Sequence, residues 1–339
     1  MTKKTDPNYG KGEAVAAEED SLSPYIRQVK VRVKEAVQSE SFEIPLLPHV
    51  ATQVLQLANN PNSGFTEIER ILKQDQVLAT HVIKVSNSAY YRGLSEVVSL
   101  RDAMSRIGLK TLKDVVFSLS LHSKVFRVKA YEKALKDIWT HSVACAGISQ
   151  ILAQYAGLNA DTAFLAGLVH DIGKPVLIQV VSGWELELLK PKPESPEEKK
   201  IRLWGTPEQK AQLLKKNARP DATRLHEVFE EVLLPTVFND YHTSVGALVA
   251  AKWKLPQEIF ESIRWHHQPK SASIDSKMIQ VIYLANRLCH HFGYGHEEDP
   301  FILKHESSFA ELKIPEAKIE KIGTDLPKLI DSLVEAMAT

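Results

Sequence analysis

In "FLAGLVHDIGKPVLI", residues 164 to 178, an imidazole and a carboxylate stand side by side at His170 and Asp171 in an otherwise apolar run, and Lys174 follows directly after a glycine. A lone histidine near a helix end is ordinarily a cap or a satisfied core residue. Here the same oddity recurs. In "DIWTHSVACAGISQILAQY", His141 shares a helical stripe with Ala144, Ile148, Ile151 and Tyr155. In "NDYHTSVGALVAAKW", His242 aligns with Val245, Gly246, Val249 and Trp253, and in "EIFESIRWHHQP" Ile259 and Ile263 point the same way as His266 and His267. Asn286 lies four residues after Ile282 and three before Cys289, on the apolar side of its own helical pattern.

Burying a polar ring without a partner costs about 1–3 kcal/mol, so this set calls for a shared explanation. A metal centre supplies one, because imidazole nitrogen and carboxylate oxygen are the ligands that zinc, iron, manganese or nickel accept, and a carboxylate can bridge two ions. Two ions about 3.5–4 Å apart could clamp a phosphate and activate a water between them, with Lys174 suited to the developing negative charge. The alternative is a polar network at the centre of a helical bundle, satisfied by backbone groups and buried water. His49, His81, His122, His226, His291, His296 and His305 lack the combination of stripe and neighbours; His290 shares the face of Asn286 but ranks behind the others. No Gly-rich phosphate loop or dinucleotide fingerprint is present.

The elements that must position these residues are helices. From about Ser21 to Arg127 apolar residues recur at helical spacing, and no alternating strand pattern of useful length appears anywhere, so the expected class is all-α. Thr66 with Glu69 reads as a capping box, Gly108 breaks "SLRDAMSRIGLKTLKDVVFSL" into two helices, and Asp161 reads as an N-cap whose helix stops at Gly173 and Pro175. Two helical lobes are expected, residues 21–130 and 131–292. Around them lie a disordered tail at 1–20 and a helical tail at 293–339, whose Leu326, Ile330 and Leu333 pack on their own domain. The Lys-, Glu- and Pro-rich stretch near 190–222 reads as an exposed insertion with at most one short helix.

Forty-two basic and forty-two acidic residues cancel, so no overall field favours nucleic acid or an anionic membrane surface. The pair of helices around Gly108 admits a helix-turn-helix reading, which the charge balance disfavours. Cys145 and Cys289 are the only cysteines, which argues against a disulfide framework and for a reducing cytoplasm. The first residues lack a signal-peptide core, and no stretch is expected to reach the roughly 20 apolar residues of a membrane span.

Taken together, His141, "HDIGK" at 170–174, "HTSVGALVAAKWKLP" from 242 and "RWHHQP" resemble the HD superfamily of helical metal-dependent phosphohydrolases. The earlier segments "IPLLPHVATQVLQLANN", "ILKQDQVLATHVIKVSNSAYY" and "SLRDAMSRIGLKTLKDVV" look like the N-terminal lobe of the HDOD domain, the HD-related output domain of bacterial signalling proteins; the resemblance covers about residues 42–292. It implies His141, His170 and Asp171 as ligands of a first site, with Asp171 bridging, and His242, His266 and His267 as ligands of a second. Where HD enzymes carry a final Asp ligand this chain has Asn286, whose neutral amide is a weaker donor. The related cyclic-dinucleotide phosphodiesterases carry Gly-Tyr-Pro after the paired histidines, whereas this chain reads "HHQPKSASID", so that substrate is not expected.

The resemblance therefore implies a bacterial regulatory protein with a pocket for one or two divalent ions (iron, manganese, zinc or nickel). Its expected partner is another signalling protein or a small phosphorylated ligand, with no nucleic acid and no membrane involved. The alternative it implies is an active phosphodiesterase in which Asp171 and Lys174 take the catalytic roles.

Overall fold

The computed structural model describes residues 30–39, 42–58, 64–88, 93–189, 195–216, 234–274, 277–295 and 307–315, with short pieces at 27, 91, 230, 319, 322–324, 326–328 and 330–331. The tail expected at 1–20 and Leu333 lie outside the described residues. Among the described residues the regular structure is entirely helical, and the class is all-α. The chain divides into two compact units, Met1–Phe42 with Gln179–Asp240, and Glu43–Ile178 with Tyr241–Thr339.

The second unit holds the polar residues singled out above. It opens with α1 (His49–Ala58), α2 (Phe65–Leu72), α3 (Gln76–Asn87), α4 (Leu100–Ile107) and α5 (Leu109–Val125). The start of α2 differs from the sequence expectation. Gly64, not Thr66, precedes the helix, and its N–H donates to the Glu67 carboxylate at 2.8 Å, while Glu69 pairs with Lys73 one turn on. The break between α4 and α5 falls at Gly108 as expected. Its φ of 82° is open to glycine at no steric cost, and Met104, Ile107, Leu112, Val115 and Val116 are buried on either side.

The centre of the unit is α6 (Glu132–Tyr155), which is buried from His141 to Ser149 on every face. α7 (Ala160–Val169) lies against it. Gly167 makes that approach possible, since a Cβ there would fall 2.7 Å from Ser149 Oγ and 2.8 Å from the Cys145 carbonyl. The stripe through His141, Ala144 and Ile148 is buried, but it surfaces by Tyr155 as the helix reaches its end. The N-cap of α7 is Asn159, whose side-chain oxygen accepts from the N–H groups of Asp161 and Thr162 at 3.0 Å each; Asp161 instead pairs with Lys110 of α5 at 3.1 Å. Gln150 of α6 donates to Asp114 of α5 at 3.2 Å.

Gly173 and Pro175, expected to end a helix, begin one. α7 stops at Val169, residues 170–172 form a turn, and α8 (Gly173–Leu189) starts with proline in its first turn, where no N–H partner is needed. Residues 160–182 pass by length and composition for a membrane span although they include Asp161, His170, Asp171 and Lys174, and 78% of their most apolar window is buried in the protein. The remaining helices bearing on the site are α11 (Leu234–Lys252), α12 (Gln257–Trp265), α13 (Lys277–His291) and α14 (Ser307–Glu311). α13 packs on α6, α7, α12 and α14. Between α8 and α11, in the first unit, α9 (Pro196–Trp204) and α10 (Pro207–Lys216) pack on each other, with no buried residue among those of 195–213. The charged insertion thus carries two solvated helices where one was expected. Ser195 caps α9 through the Glu198 N–H, and Glu198 returns the bond to the Ser195 N–H, both at 3.1 Å.

Two outcomes follow from this packing. His122 lies against Trp139 at 4.9 Å between ring centroids, and burial, reinforced by Arg127 and His81, lowers its pKa to about 4. The folded state therefore disfavours the proton, so stability held above pH 6.5 is lost as pH falls towards 4 by up to about 3 kcal/mol. In urea titrations the loss between pH 7 and pH 4.5 should be smaller for His122→Phe, and an equal loss would refute the assignment. A Cβ on Gly173 would strike the His242 carbonyl and come 2.8 Å from the Gly246 nitrogen, so Gly173→Ala should cost about 2–3 kcal/mol by the same titration.

Candidate metal centre

Four local structures deliver the side chains. His141 projects from the buried stretch of α6; His170 caps the C-terminus of α7, and Asp171 follows in the turn that leads into α8. His242 lies within α11, and His266 caps the C-terminus of α12 with His267 next to it. Gly173 and Gly246 let the turn come against α11, and a Cβ on Gly246 would fall 2.6 Å from Ile263 Cγ2 of α12. Helices distant in sequence thus meet at one point.

At that point Asp171 stands between two groups of imidazoles. Its Oδ2 lies 3.6 Å from His141 Nε2, 3.4 Å from His170 Nε2 and 2.5 Å from Lys174 Nζ, and its Oδ1 lies 3.5 Å from both His242 Nε2 and His266 Nε2. His141 and His170 bring their Nε2 atoms to 3.2 Å; His242 Nε2 is 3.4 Å from that of His266 and 3.1 Å from that of His267. His141, His170, Asp171, His242 and His266 are buried, whereas His267 is exposed at the rim, contrary to the expectation that it faces inward. Glu261 holds the chain that follows His267. Its carboxylate accepts from Ser273 Oγ and N and from Gln257 Nε2, at 2.5, 3.2 and 2.9 Å.

The protonation pattern of the rings is set from behind. His141 Nδ1 lies 2.8 Å from the Tyr294 carbonyl, His170 Nδ1 2.7 Å from that of Gly167 and His266 Nδ1 3.0 Å from that of Ile263. A carbonyl can only accept, so each Nδ1 carries the hydrogen and each ring turns its Nε2 towards the centre, and the Asp171 carboxylate beside His170 helps to raise that ring's pKa. Burial lowers the pKa of His141 and His266. Burial alone would raise Asp171, but the Lys174 ammonium holds it well below the usual carboxylate range. The result is a cluster of imidazole Nε2 atoms around an anionic carboxylate.

A proton on one ring or a metal cation among the donors would hold such an arrangement together. His141, His170 and Asp171 form one set whose donor atoms all lie within 4.8 Å of one another, and His242, His266 and His267 form a second. Two buried oxygens, Asp171 Oδ1 and Asn286 Oδ1, accept no hydrogen bond among the described residues. The donor chemistry and these oxygens fit one or two divalent ions.

Sequence reasoning underrated one residue and missed the backbone. His290 of α13 has its ring centroid 5.3 Å from that of His141, and the Tyr294 carbonyl beyond it orients His141. No side-chain pattern marks a backbone carbonyl, but the glycines on either side of Tyr294 are the signal of a tight strap. Asn286 is 4% exposed, on the buried side of α13 as its spacing predicts.

Comparison with known proteins agrees with this fold. A solved HDOD domain protein of unknown function from Geobacter sulfurreducens superposes with a TM-score of 0.63 at 21% identity, covering 92% of this chain and 100% of that one. A metal-dependent phosphohydrolase candidate from Shewanella amazonensis gives 0.58 at 20% identity, over 92% and 99%. An uncharacterized protein of Treponema pallidum is 24% identical over 266 residues, 77% of this chain and 45% of that protein. The chain spans less than half the length of the curated relatives it matches. The HDOD domain profile matches residues 44–211 and 200–269, most of the second unit's helices and the turn that carries His170 and Asp171, and the chain belongs to the HDOD domain family.

Proposed function

We propose that this chain is a regulatory HDOD module whose second unit binds divalent metal at two adjoining sites that share Asp171. The observation that carries the reading is the convergence of imidazole Nε2 atoms on one buried carboxylate, with three of the rings oriented by backbone carbonyls. His141, His170 and Asp171 would hold one ion, with the Asn286 oxygen as a neutral fourth donor, and His242, His266 and His267 the other. A set rich in imidazole with a single carboxylate suits zinc, iron, nickel or manganese rather than magnesium or calcium. Replacing the expected aspartate by Asn286 removes one negative charge, which weakens the first site relative to the second. Regulation follows from that imbalance: ligand or metal at the weaker site changes how α6 and α13 are held, and a partner signalling protein or small phosphorylated ligand would sense it.

A phosphohydrolase activity is the second reading, and Lys174 favours it. Bound ions would supply a polarised water and a positive field for a phosphate. The chain's part would be to orient the donors, exclude bulk water around the buried Asp171, and offer the Lys174 ammonium to developing charge on a phosphate oxygen. The exposed edge of His267 leaves the second site within reach of a ligand from solvent.

Elemental analysis of protein purified without added metal tests both readings. Stoichiometric iron, manganese, nickel or zinc is expected, reduced in His170→Ala, and no uptake even after reconstitution would end the metal reading. Turnover of bis(p-nitrophenyl) phosphate by the loaded wild type, lost in His170→Ala, would instead replace the regulatory reading by the enzymatic one. Asn286→Asp should tighten one of two binding steps about 10–100-fold in competition with a chelator, and unchanged affinities would remove Asn286 from the site.

A further inference from the structure

His170 and His266 are oriented by carbonyls three residues back in their own chain segments, Gly167 and Ile263. His141 is different. Its Nδ1–H donates to the carbonyl of Tyr294, 153 residues away in sequence, just after α13. The chain there reads Phe292-Gly293-Tyr294-Gly295. Gly293 adopts a φ of 81°, and the strap closes on itself through the Tyr294 N–H, which donates to the Cys289 carbonyl at 2.8 Å. Gly295 lies so close to His290 that a Cβ would strike its imidazole, and the His290 ring in turn lies against His141. Phe292 faces the C-terminal segment, where a Cβ on Gly323 would fall 2.6 Å from its Cε1. That segment is anchored by Leu312, Ile314, Ile319, Ile322, Leu326 and Ile330, each at most 6% exposed. Both strap and anchor lie beyond residue 269, where the HDOD match ends.

We propose that the strap at 292–295 is a positioning element for His141 and that the C-terminal segment, by packing Gly323 on Phe292, controls the first metal site and not the second. The proposal rests on the metal reading above for its consequence, but not for its geometry. Held by Tyr294, His141 presents a fixed Nε2 lone pair. Displaced from it, the ring exchanges between tautomers and rotamers, and one donor of the first site is lost. A contact between the C-terminal segment and a partner would thereby reach the site through one hydrogen bond.

The test uses full-length protein labelled with ¹⁵N-histidine, first in EDTA. In the wild type His141 should show a single tautomer protonated at Nδ1; Gly323→Val, and the milder Phe292→Leu, should give both tautomers at His141. His266, oriented within its own segment, should stay unchanged in both variants and so report that the unit is folded. An unaltered His141 tautomer in folded variants would overturn the proposal. Cobalt titration followed by absorption should then show one of two binding steps weakened about tenfold or more and the other unchanged. Equal weakening of both steps would overturn the selectivity for the first site. If the wild type takes up no cobalt while the variants still release the His141 tautomer, the metal reading fails and the strap's positioning role stands.

Discussion

Asp171 is a carboxylate with 1% exposure, and the architecture of the second unit can be understood as the means of making that charge tolerable. An isolated ionised carboxylate in such a place costs several kcal/mol, so partners must reach it from every side. Lys174 meets it as a cation from the first turn of α8, while His141 from α6, His170 from the preceding residue, and His242 and His266 from α11 and α12 bring Nε2 atoms to 3.4–3.6 Å of its oxygens. No single helix could supply this set, because side chains on one helix that share a face are three or four residues apart and point along one line. Convergence requires four backbone segments to come within a few ångströms of one another.

Glycine makes that convergence sterically possible. Gly167 lets α7 lie on α6, Gly173 lets the Asp171 turn meet the His242 carbonyl, and Gly246 lets α11 meet Ile263 of α12. Each position would place a Cβ inside a neighbour's van der Waals radius, and the neighbours at the first two include backbone atoms, which cannot rotate away. The donors are then rigid for a second reason, since carbonyls behind three of the rings fix which nitrogen faces the centre.

Much of this was readable beforehand because burial leaves a periodic trace. His141, His242, His266 and Asn286 stand at core spacing in apolar helices, and all are buried. Periodicity fails where a helix ends. His267 follows His266 directly, so 100° of helical rotation separates them, and one is buried while the other reaches the rim. Local punctuation was likewise ambiguous. Gly173 and Pro175 fit a helix stop and a helix start equally well by type, and Asn159 and Asp161 are both good caps. The choice fell to the position at which α7 could meet α6. In the charged insertion, Ser195, Pro196 and Glu198 carry a complete start signal for α9.

The sequence by itself determined the helical class and the apolar helix faces that carry His141, His242, His266 and Asn286. These are properties of residue type and spacing along one chain segment. Tertiary structure alone decided that both imidazole groups share the two oxygens of Asp171, that His290 lies against His141, and that the Tyr294 carbonyl orients His141 from beyond the family's matched region. Hydrogen bonds to a remote carbonyl and approaches allowed by a missing Cβ depend on which backbones meet, and side-chain periodicity does not record that.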